Sequence, residues 1–428
     1  MAVSIENLYQ IYKKSTGVST DTRNIQQGNI FFALKGPSFN ANEFAEDALS
    51  KGAAYAVVDD QKVVKDERFL LVDNVLDTLQ KLSRHHRRQF SIPFIAITGS
   101  NGKTTTKELV NTVLAAKYKT YATKGNLNNH IGIPLTLLSI ATDTEIAIIE
   151  MGANHQQEIA GYCKIAEPTH GLITNIGKAH LEGFGGIEGV KKGKGELYDY
   201  LLETNGTAFV YSENEVLLSM SKFKEPIMYP GENDFYHCEL VSADPFVKLK
   251  TENNNTVETA LIGAYNYENI AAALCIGKYF KVPAQDAERA VASYVPQNNR
   301  SQIVEQGTNH IVLDAYNANP SSMKVAIQNF KKIAADKKIA ILGDMLELGS
   351  ESPAEHRAIG DLLKNAGFTK VFLCGPHMKE AAAVMPDAEY SEKRDALESK
   401  LKSLAPKHCH ILIKGSRGMG LEKLLEVL

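Results

Sequence analysis

Phe94-Ile95-Ala96-Ile97-Thr98-Gly99-Ser100-Asn101-Gly102-Lys103-Thr104-Thr105 joins a short apolar run to a glycine turn and a threonine-rich helix start. The run at 94–97 reads as a buried strand, and 104–116 reads as a helix. Strand, glycine loop and helix in that order form the context of a phosphate-binding loop. Gly99 and Gly102 allow backbone N–H groups to approach an anion without Cβ clashes. The helix N-terminus adds unpaired donors and the positive end of its dipole. Lys103 is placed to reach the β- and γ-phosphates, and the Thr104 hydroxyl to ligate Mg²⁺. The usual first glycine of the pattern falls at Ile97, so here Gly99 makes the turn. A Gly-x-x-Gly alone is an ordinary turn. The attached Lys-Thr-Thr and the preceding strand make this one a nucleotide site.

The chain has 428 residues, enough for roughly two to four domains. A formal net charge of −3 gives no electrostatic case for nucleic acid or an anionic membrane. Any polyphosphate must therefore be held by local groups. Cys163, Cys238, Cys275, Cys374 and Cys409 are scattered, with no redox or zinc spacing, which points to a reducing cytoplasm. The N-terminus, Met1-Ala2-Val3-Ser4-Ile5-Glu6, has no long apolar core, so no signal peptide is expected. No apolar stretch approaches membrane-spanning length.

The first segment, to about residue 90, reads as a small α/β unit of its own. Asp21-Thr22-Arg23 precedes a strand-like piece, 28–36, which ends at Lys35-Gly36. A helix is expected over 44–50 and a strand over 54–58. The basic stretch 81–89, with Arg84, Arg87 and Arg88, is expected to be a solvated helix rather than a phosphate patch.

In the middle segment, strands at 94–97, 146–149 and 172–176 end respectively in the glycine loop, in Glu150-Met151-Gly152 and in Gly177-Lys178-Ala179-His180. Continuous apolar strands separated by helices predict a parallel sheet covered on both faces, with its ligand beyond the carboxyl ends. An isolated carboxylate at the end of a buried strand is costly, so Glu150 is expected to hold Mg²⁺. His180, taken alone, reads as an ordinary hydrogen-bonded residue. The asparagines of Lys124-Gly125-Asn126-Leu127-Asn128-Asn129 suit turns, or an amide-rich substrate. Lys191-Lys192-Gly193-Lys194 reads as a solvated helix start. Asn266 and Asn269 open an alanine-rich helix, as caps or as readers of a base edge. Asn253-Asn254-Asn255 reads as a hairpin tip.

Beyond residue 299 the strand-then-polar scheme repeats. Strands are expected at 311–313, 339–342, 371–375 and 411–413. The first ends in Asp314-Ala315-Tyr316-Asn317-Ala318-Asn319-Pro320, with Ser321 or Ser322 as a helix cap. Lys414 and Arg417 follow the last strand and suit a carboxylate, Arg417 better because its planar fork is bidentate.

Together these stretches resemble the Mur ligase family over nearly the whole chain, and within it the member that adds a dipeptide. The family-wide marks are the Thr98 to Thr105 loop, Glu150-Met151-Gly152, Asn175-Ile176-Gly177 with His180, and Arg300. The dipeptide-adding marks are Asp21-Thr22-Arg23, Phe32-Ala33-Leu34-Lys35-Gly36, Asn128-Asn129, Tyr316-Asn317-Ala318-Asn319-Pro320, Gly343-Asp344-Met345-Leu346-Glu347-Leu348-Gly349 and Lys414-Gly415-Ser416-Arg417.

The resemblance implies an α/β protein of three domains: 1–90 for the UDP end of a substrate, 91–298 a P-loop parallel-sheet ATPase, and 299–428 a Rossmann-like closing domain. It implies an ATP- and Mg²⁺-dependent ligase that joins D-alanyl-D-alanine to UDP-N-acetylmuramoyl-tripeptide through an acyl phosphate, as a cytoplasmic monomer. By position, Gly99, Ser100, Asn101, Gly102, Lys103, Thr104 and Thr105 hold phosphate. Asn266 and Asn269 contact adenine, while Arg300 and Asp314 contact phosphate and ribose. Thr104 and Glu150 hold one Mg²⁺ and His180 helps hold a second. Lys194 matches the lysine that carries a carbamate, so Lys103, His180 and Lys194 are the catalytic candidates and Lys194 a fourth metal ligand. Thr22, Arg23, Lys35, Asn128, Asn129, Asn317 and Arg417 are the substrate candidates. Tyr265 stands where the family often has histidine, Gln157 where it has glycine, and Asn40-Ala41-Asn42 where an Asp-Gly-His-like segment is usual. The alternatives are a relative adding a single amino acid, a folylpolyglutamate synthase-like ligase, a P-loop switch, or a protein that binds ATP only structurally.

Overall fold

The computed structural model describes residues 3–297 and 299–428. Met1 and Ala2 lie outside the described residues, as does Asn298, where the sequence puts the end of the middle domain.

Near the N-terminus, strands Val18–Ser19, Ile30–Phe32, Tyr55–Val58 and Phe69–Leu71 form a parallel sheet in that order. Its side chains alternate between two apolar clusters, as strand geometry requires. Ile30, Phe32 and Val57 enter one with Leu79 and Leu82, while Phe31, Ala56 and Val58 enter the other. The basic stretch belongs to helix Val75–Arg87, but it is not simply solvated. Arg87 is buried and donates to the carbonyls of Ala166 and Glu167 at 2.8 and 2.7 Å. Arg84 and Arg88 both meet the Glu167 carboxylate. The arginines fasten the first segment to the carbonyl end of helix Glu158–Ala166, where cations are favoured.

The middle sheet is wholly parallel. From edge to edge its strands run Ile227–Tyr229, Thr207–Tyr211, His170–Ile173, Phe94–Thr98, Ile146–Glu150 and Thr120–Ala122. The chain leaves Phe94–Thr98 for one side and later returns to the other. That reversal opens a crevice over the carboxyl ends of the three strands flagged in the sequence. An antiparallel sheet, Cys238–Ala243, Phe246–Thr251 and Thr256–Ile262, adds three strands that the sequence analysis does not assign. Its second turn does carry Asn254 at φ +61°, at the expected hairpin tip.

The last sheet runs Gln302–Gln306, Asn309–Asp314, His410–Lys414, Lys338–Gly343, Lys370–Cys374 and Glu389–Ser391. Only its first strand is antiparallel. That strand, between Arg300 and Ile311, escapes sequence reading because its apolar residues are half exposed. Ala340, Leu342 and Leu412 join the core of the middle sheet, while Ile339, Ile341 and Ile413 pack on the opposite face. Helix Pro320–Lys332 is capped by Asn319, not by a serine, and the Ser322 hydroxyl completes the capping box. Among the described residues no helix is long and apolar enough to cross a membrane.

Candidate active site

Phe94–Thr98 is entirely buried and delivers the glycine loop to the crevice. Both glycines are required by their neighbours. A Cβ on Gly99 (φ +143°) would lie 2.0 Å from the Thr174 hydroxyl, and one on Gly102 (φ +80°) 2.7 Å from Asn269 Oδ1. The loop is stitched to the segment after the adjacent strand. Ser100 N–H donates to the Asn175 carbonyl at 2.9 Å, Asn101 N–H to Asn175 Oδ1 at 3.0 Å, and the Thr174 hydroxyl to the Asn101 carbonyl at 2.6 Å. Helix Lys103–Ala115 begins there without a side-chain cap, so its first N–H groups face the crevice free of a competing side-chain acceptor. Lys103 Nζ donates to the carbonyls of Gly99 and Ser100 at 2.7 and 3.2 Å. Burial pulls its pKa down to about 8, opposed by Glu150 and assisted by Arg300.

Glu150 ends its strand 1% exposed. Oε1 accepts from Asn128 Nδ2 at 2.7 Å, and Oε2 is buried without a hydrogen-bond partner among the described residues. A half-satisfied buried carboxylate is expensive unless something else completes it. Asn129 turns elsewhere: its Oδ1 accepts from the N–H groups of Ile131 and Gly132 and so fixes the turn before helix Gly132–Leu138.

The adenine candidates sit inside helix Tyr265–Tyr279 rather than capping it. Asn266 Nδ2 donates to the Ile262 carbonyl, Asn269 Nδ2 to Asn266 Oδ1, and Asn269 Oδ1 accepts from Thr106. This chain holds the pair rigid beside the loop. The Tyr265 hydroxyl lies 2.5 Å from Ser301 Oγ, across to the last segment, and burial raises its pKa.

The last segment is docked over the loop. Asn319 Nδ2 donates to Asn101 Oδ1 at 2.8 Å, Lys178 N–H to Ser321 Oγ at 3.0 Å, and Lys178 Nζ pairs with Glu355 at 2.5 Å. His180 Nδ1 contacts the Glu347 carboxylate. Asp314 meets Lys414 Nζ at 2.5 Å, and Lys414 also donates to the Asn317 carbonyl. Lys414 is 2% exposed, and the carboxylate it binds in the structure is that of Asp314. Lys414→Met is expected to destabilise the last segment by about 3 kcal/mol, because Asp314 keeps its charge without a counterion. Calorimetric unfolding of the full chain measures it.

A cavity of about 740 Å³, the size of a nucleotide pocket, gathers most of the candidates. Ser100 to Thr105, Asn128, Asn129, Glu150, His180, Asn266, Asn269, Arg300, Asp314, Asn317 and Arg417 all line it. Gly99 lies in the loop behind it. Thr22 and Arg23, in the helical turn Thr22–Asn24, and Lys35, in the small hairpin Lys35–Gly36 with Phe39–Asn40, stand apart in the first segment, where Arg23 pairs with Asp21 and Lys35 with Asp59, at 2.8 Å each. Asn42, in the segment that departs from the family pattern, bridges Asn40 and Asp59. Gln157 adopts φ +69°, the backbone shape that makes glycine usual there. Sequence reasoning missed Glu347, Glu355 and Ser301 as cross-segment partners.

Lys194 corrects its reading as part of a solvated helix start. Helix Ile187–Glu203 leaves Lys191 to pair with Glu188 but buries Lys194 to 1% exposure. Lys194 Nζ donates to the Ala153 carbonyl at 3.1 Å and lies 5.0 Å from the Phe184 ring centre. Burial, then the Lys103 charge, hold its pKa well below the usual lysine range.

The Mur ligase middle domain family matches residues 97–277, and the Mur ligase, glutamate ligase domain family matches 299–417. The chain belongs to the Mur ligase family. This Mur ligase is 35% identical over 427 residues to the UDP-N-acetylmuramoyl-tripeptide--D-alanyl-D-alanine ligase of Bacillus subtilis, covering 96% of this chain and 93% of that one. It is 32% identical to the enzyme of the same name from Escherichia coli, covering 96% and 93%. Among solved structures it matches MurF from Acinetobacter baumannii with TM-score 0.87, 29% identity and 97% of each chain covered. It also matches MurF ligase from Thermotoga maritima in complex with ADP, with TM-score 0.83, 27% identity and 97% of each chain covered.

The residues of this Mur ligase fit Mg²⁺. The unpartnered Glu150 Oε2 and the Thr104 hydroxyl border the same cavity. Among the described residues no three His, Cys, Asp or Glu side chains cluster as a ready-made metal site. Mg²⁺ needs no such cluster, since it commonly takes one or two carboxylates and completes its shell with phosphates and water.

Proposed function

We propose that this Mur ligase uses ATP to join D-alanyl-D-alanine to UDP-N-acetylmuramoyl-tripeptide, through an acyl phosphate, in peptidoglycan precursor synthesis. The observation that carries the reading is one cavity bordered by the Lys103 loop, by Glu150, and by Arg300, Asn317 and Arg417. Phosphoryl transfer followed by aminolysis needs phosphate donors and acceptor-binding cations in one enclosed space.

The loop N–H groups and helix start bind the polyphosphate. Lys103 exchanges its two carbonyls for phosphate oxygens, which compensate a buried ammonium better. Glu150 and Thr104 are the residues that would hold Mg²⁺, and the bound ion supplies neutralising charge at the phosphates. Asn128 keeps Glu150 in place. A free carboxylate is a poor acyl donor, and taking the terminal phosphoryl group gives it a leaving group. The dipeptide amine then forms the C–N bond, the C–O bond to phosphate breaks, and the amine proton leaves to solvent. Arg417 is the carboxylate partner for the dipeptide. Thr22, Arg23 and Lys35, in the first segment, serve the UDP end. The work divides over domains set at 1–90, 91–298 and 299–428. The chain acts in the cytoplasm as a monomer, with no nucleic-acid or membrane partner, in keeping with its net charge of −3.

ADP release on a panel of UDP-muramoyl peptides tests the reading. Efficient release is expected only with the tripeptide and D-alanyl-D-alanine together. Equal release with a single amino acid as acceptor, or release without any acceptor as a switch would show, overturns it.

A further inference from the structure

Tyr316 stands between two arginines, Arg300 and Arg417, that line the same cavity. The Arg300 guanidinium carbon lies 3.6 Å from the Tyr316 ring centre, and that of Arg417 lies 5.2 Å from the same centre. Arg417 Nη1 is also 3.5 Å from the tyrosine hydroxyl. Arg300 Nε is buried with no hydrogen-bond partner among the described residues, and no salt bridge is found there for Arg417 either. Among the described residues, then, the ring is the neighbour the two guanidiniums share.

The backbone that carries the ring is held from both sides. Tyr316 N–H donates to the Asn299 carbonyl at 3.3 Å, next to Arg300. Asp314 and Lys414 face each other in register on adjacent parallel strands and form an ion pair. Tyr316 and Arg417 therefore leave the sheet edge side by side. Two guanidiniums so close repel each other, and the negative face of an aromatic ring attracts both. An anion that orders either arginine also orders the ring, and with it part of the other arginine's position. Such coupling is reciprocal.

The geometry points to Tyr316 as a positioning residue that couples the two halves of the site, aiming Arg300 at the transferring phosphoryl group and Arg417 at the carboxylate of the incoming dipeptide. The inference rests on the ligase reading above.

Tyr316→Leu tests it, with Tyr316→Met as a second non-aromatic variant and Tyr316→Phe as the conservative one. In the non-aromatic variants KM for ATP and KM for D-alanyl-D-alanine are expected to rise together, each by roughly tenfold. A non-hydrolysable ATP analogue should also cease to tighten dipeptide binding in calorimetry. Tyr316→Phe should restore both properties to within about twofold, because stacking needs the ring and not the hydroxyl. A rise in only one KM, a phenylalanine variant that behaves like leucine, or loss of folding in both non-aromatic variants overturns the inference. The wild type, assayed beside them, separates the two readings. If it fails to ligate the dipeptide, the ligase reading falls and this inference with it. If it ligates and the variants match it, this inference alone falls.

Discussion

Lys103→Ala abolishes ligation, lowering turnover on the order of 10³-fold or more, while the protein remains folded. The loss follows from position. Lys103 opens the helix that ends the glycine loop, and its ammonium reaches the carbonyls of Gly99 and Ser100, at the wall of the cavity. Those neutral carbonyls are the weaker partners, and polyphosphate oxygens give charge-assisted bonds in the same low-dielectric space. Survival of the fold follows from the same burial. An ammonium whose pKa is pulled down to about 8 is not stabilised by its surroundings, so its removal should leave the melting temperature equal or higher. Only the two loop carbonyls lose a donor, and Ser100 lines the cavity. Calorimetry should show nucleotide affinity falling with turnover. Near-normal ligation by a folded Lys103→Ala protein would contradict the assignment of the phosphate loop.

The parts of the site legible in the sequence are those written locally. The glycine loop, Glu150 at its strand end and the asparagines of the alanine-rich helix each declare themselves within a dozen residues. The sheet edge that gathers them follows from continuous apolar strands such as Ile146–Glu150, buried along its whole length. What escaped depends on partners far apart in the chain. Glu347 and Tyr316 sit in stretches the sequence marks, but their partners do not show there: His180 meets Glu347, and Arg300 and Arg417 meet the Tyr316 ring, only in the fold. Arg87 looked solvated because a run of arginines usually is, and its burial is compensated by the carbonyls of Ala166, Glu167 and Phe90 and by the Phe94 ring, facts that no local stretch shows. Strands Cys238–Ala243 and Gln302–Gln306 were hidden by half-exposed, mixed sequences, whereas Phe246–Thr251 and Thr256–Ile262, on either side of Asn254, bury alternate residues. Asn319 took the cap from the serines because the capping box needs both Asn319 and Ser322.

Lys194 is expected to carry a carbamate in the active enzyme, and its replacement by alanine to remove most activity. The side chain is buried, and the cavity-lining Ala153 accepts from its ammonium at 3.1 Å. A single neutral carbonyl does not compensate a buried ammonium. Burial and the nearby Lys103 charge both favour the free amine, the form that can attack CO₂. The nitrogen of the free amine bonds to the carbon of CO₂ and gives up one proton to solvent; counted from the ammonium, two protons leave and a cation is replaced by an anion with two oxygen atoms. That exchange also turns repulsion from Lys103 into attraction. The anion is a hard oxygen donor of the kind Mg²⁺ prefers. Two readouts check this. Nuclear magnetic resonance with isotopically labelled bicarbonate should show a carbamate carbon in the wild type and none in Lys194→Ala. Short carboxylic acids should restore part of the variant's activity by filling the vacated space with an anion. Full activity of Lys194→Ala in degassed, bicarbonate-free buffer, or a wild type with no carbamate signal, would leave Lys194 as a buried packing residue.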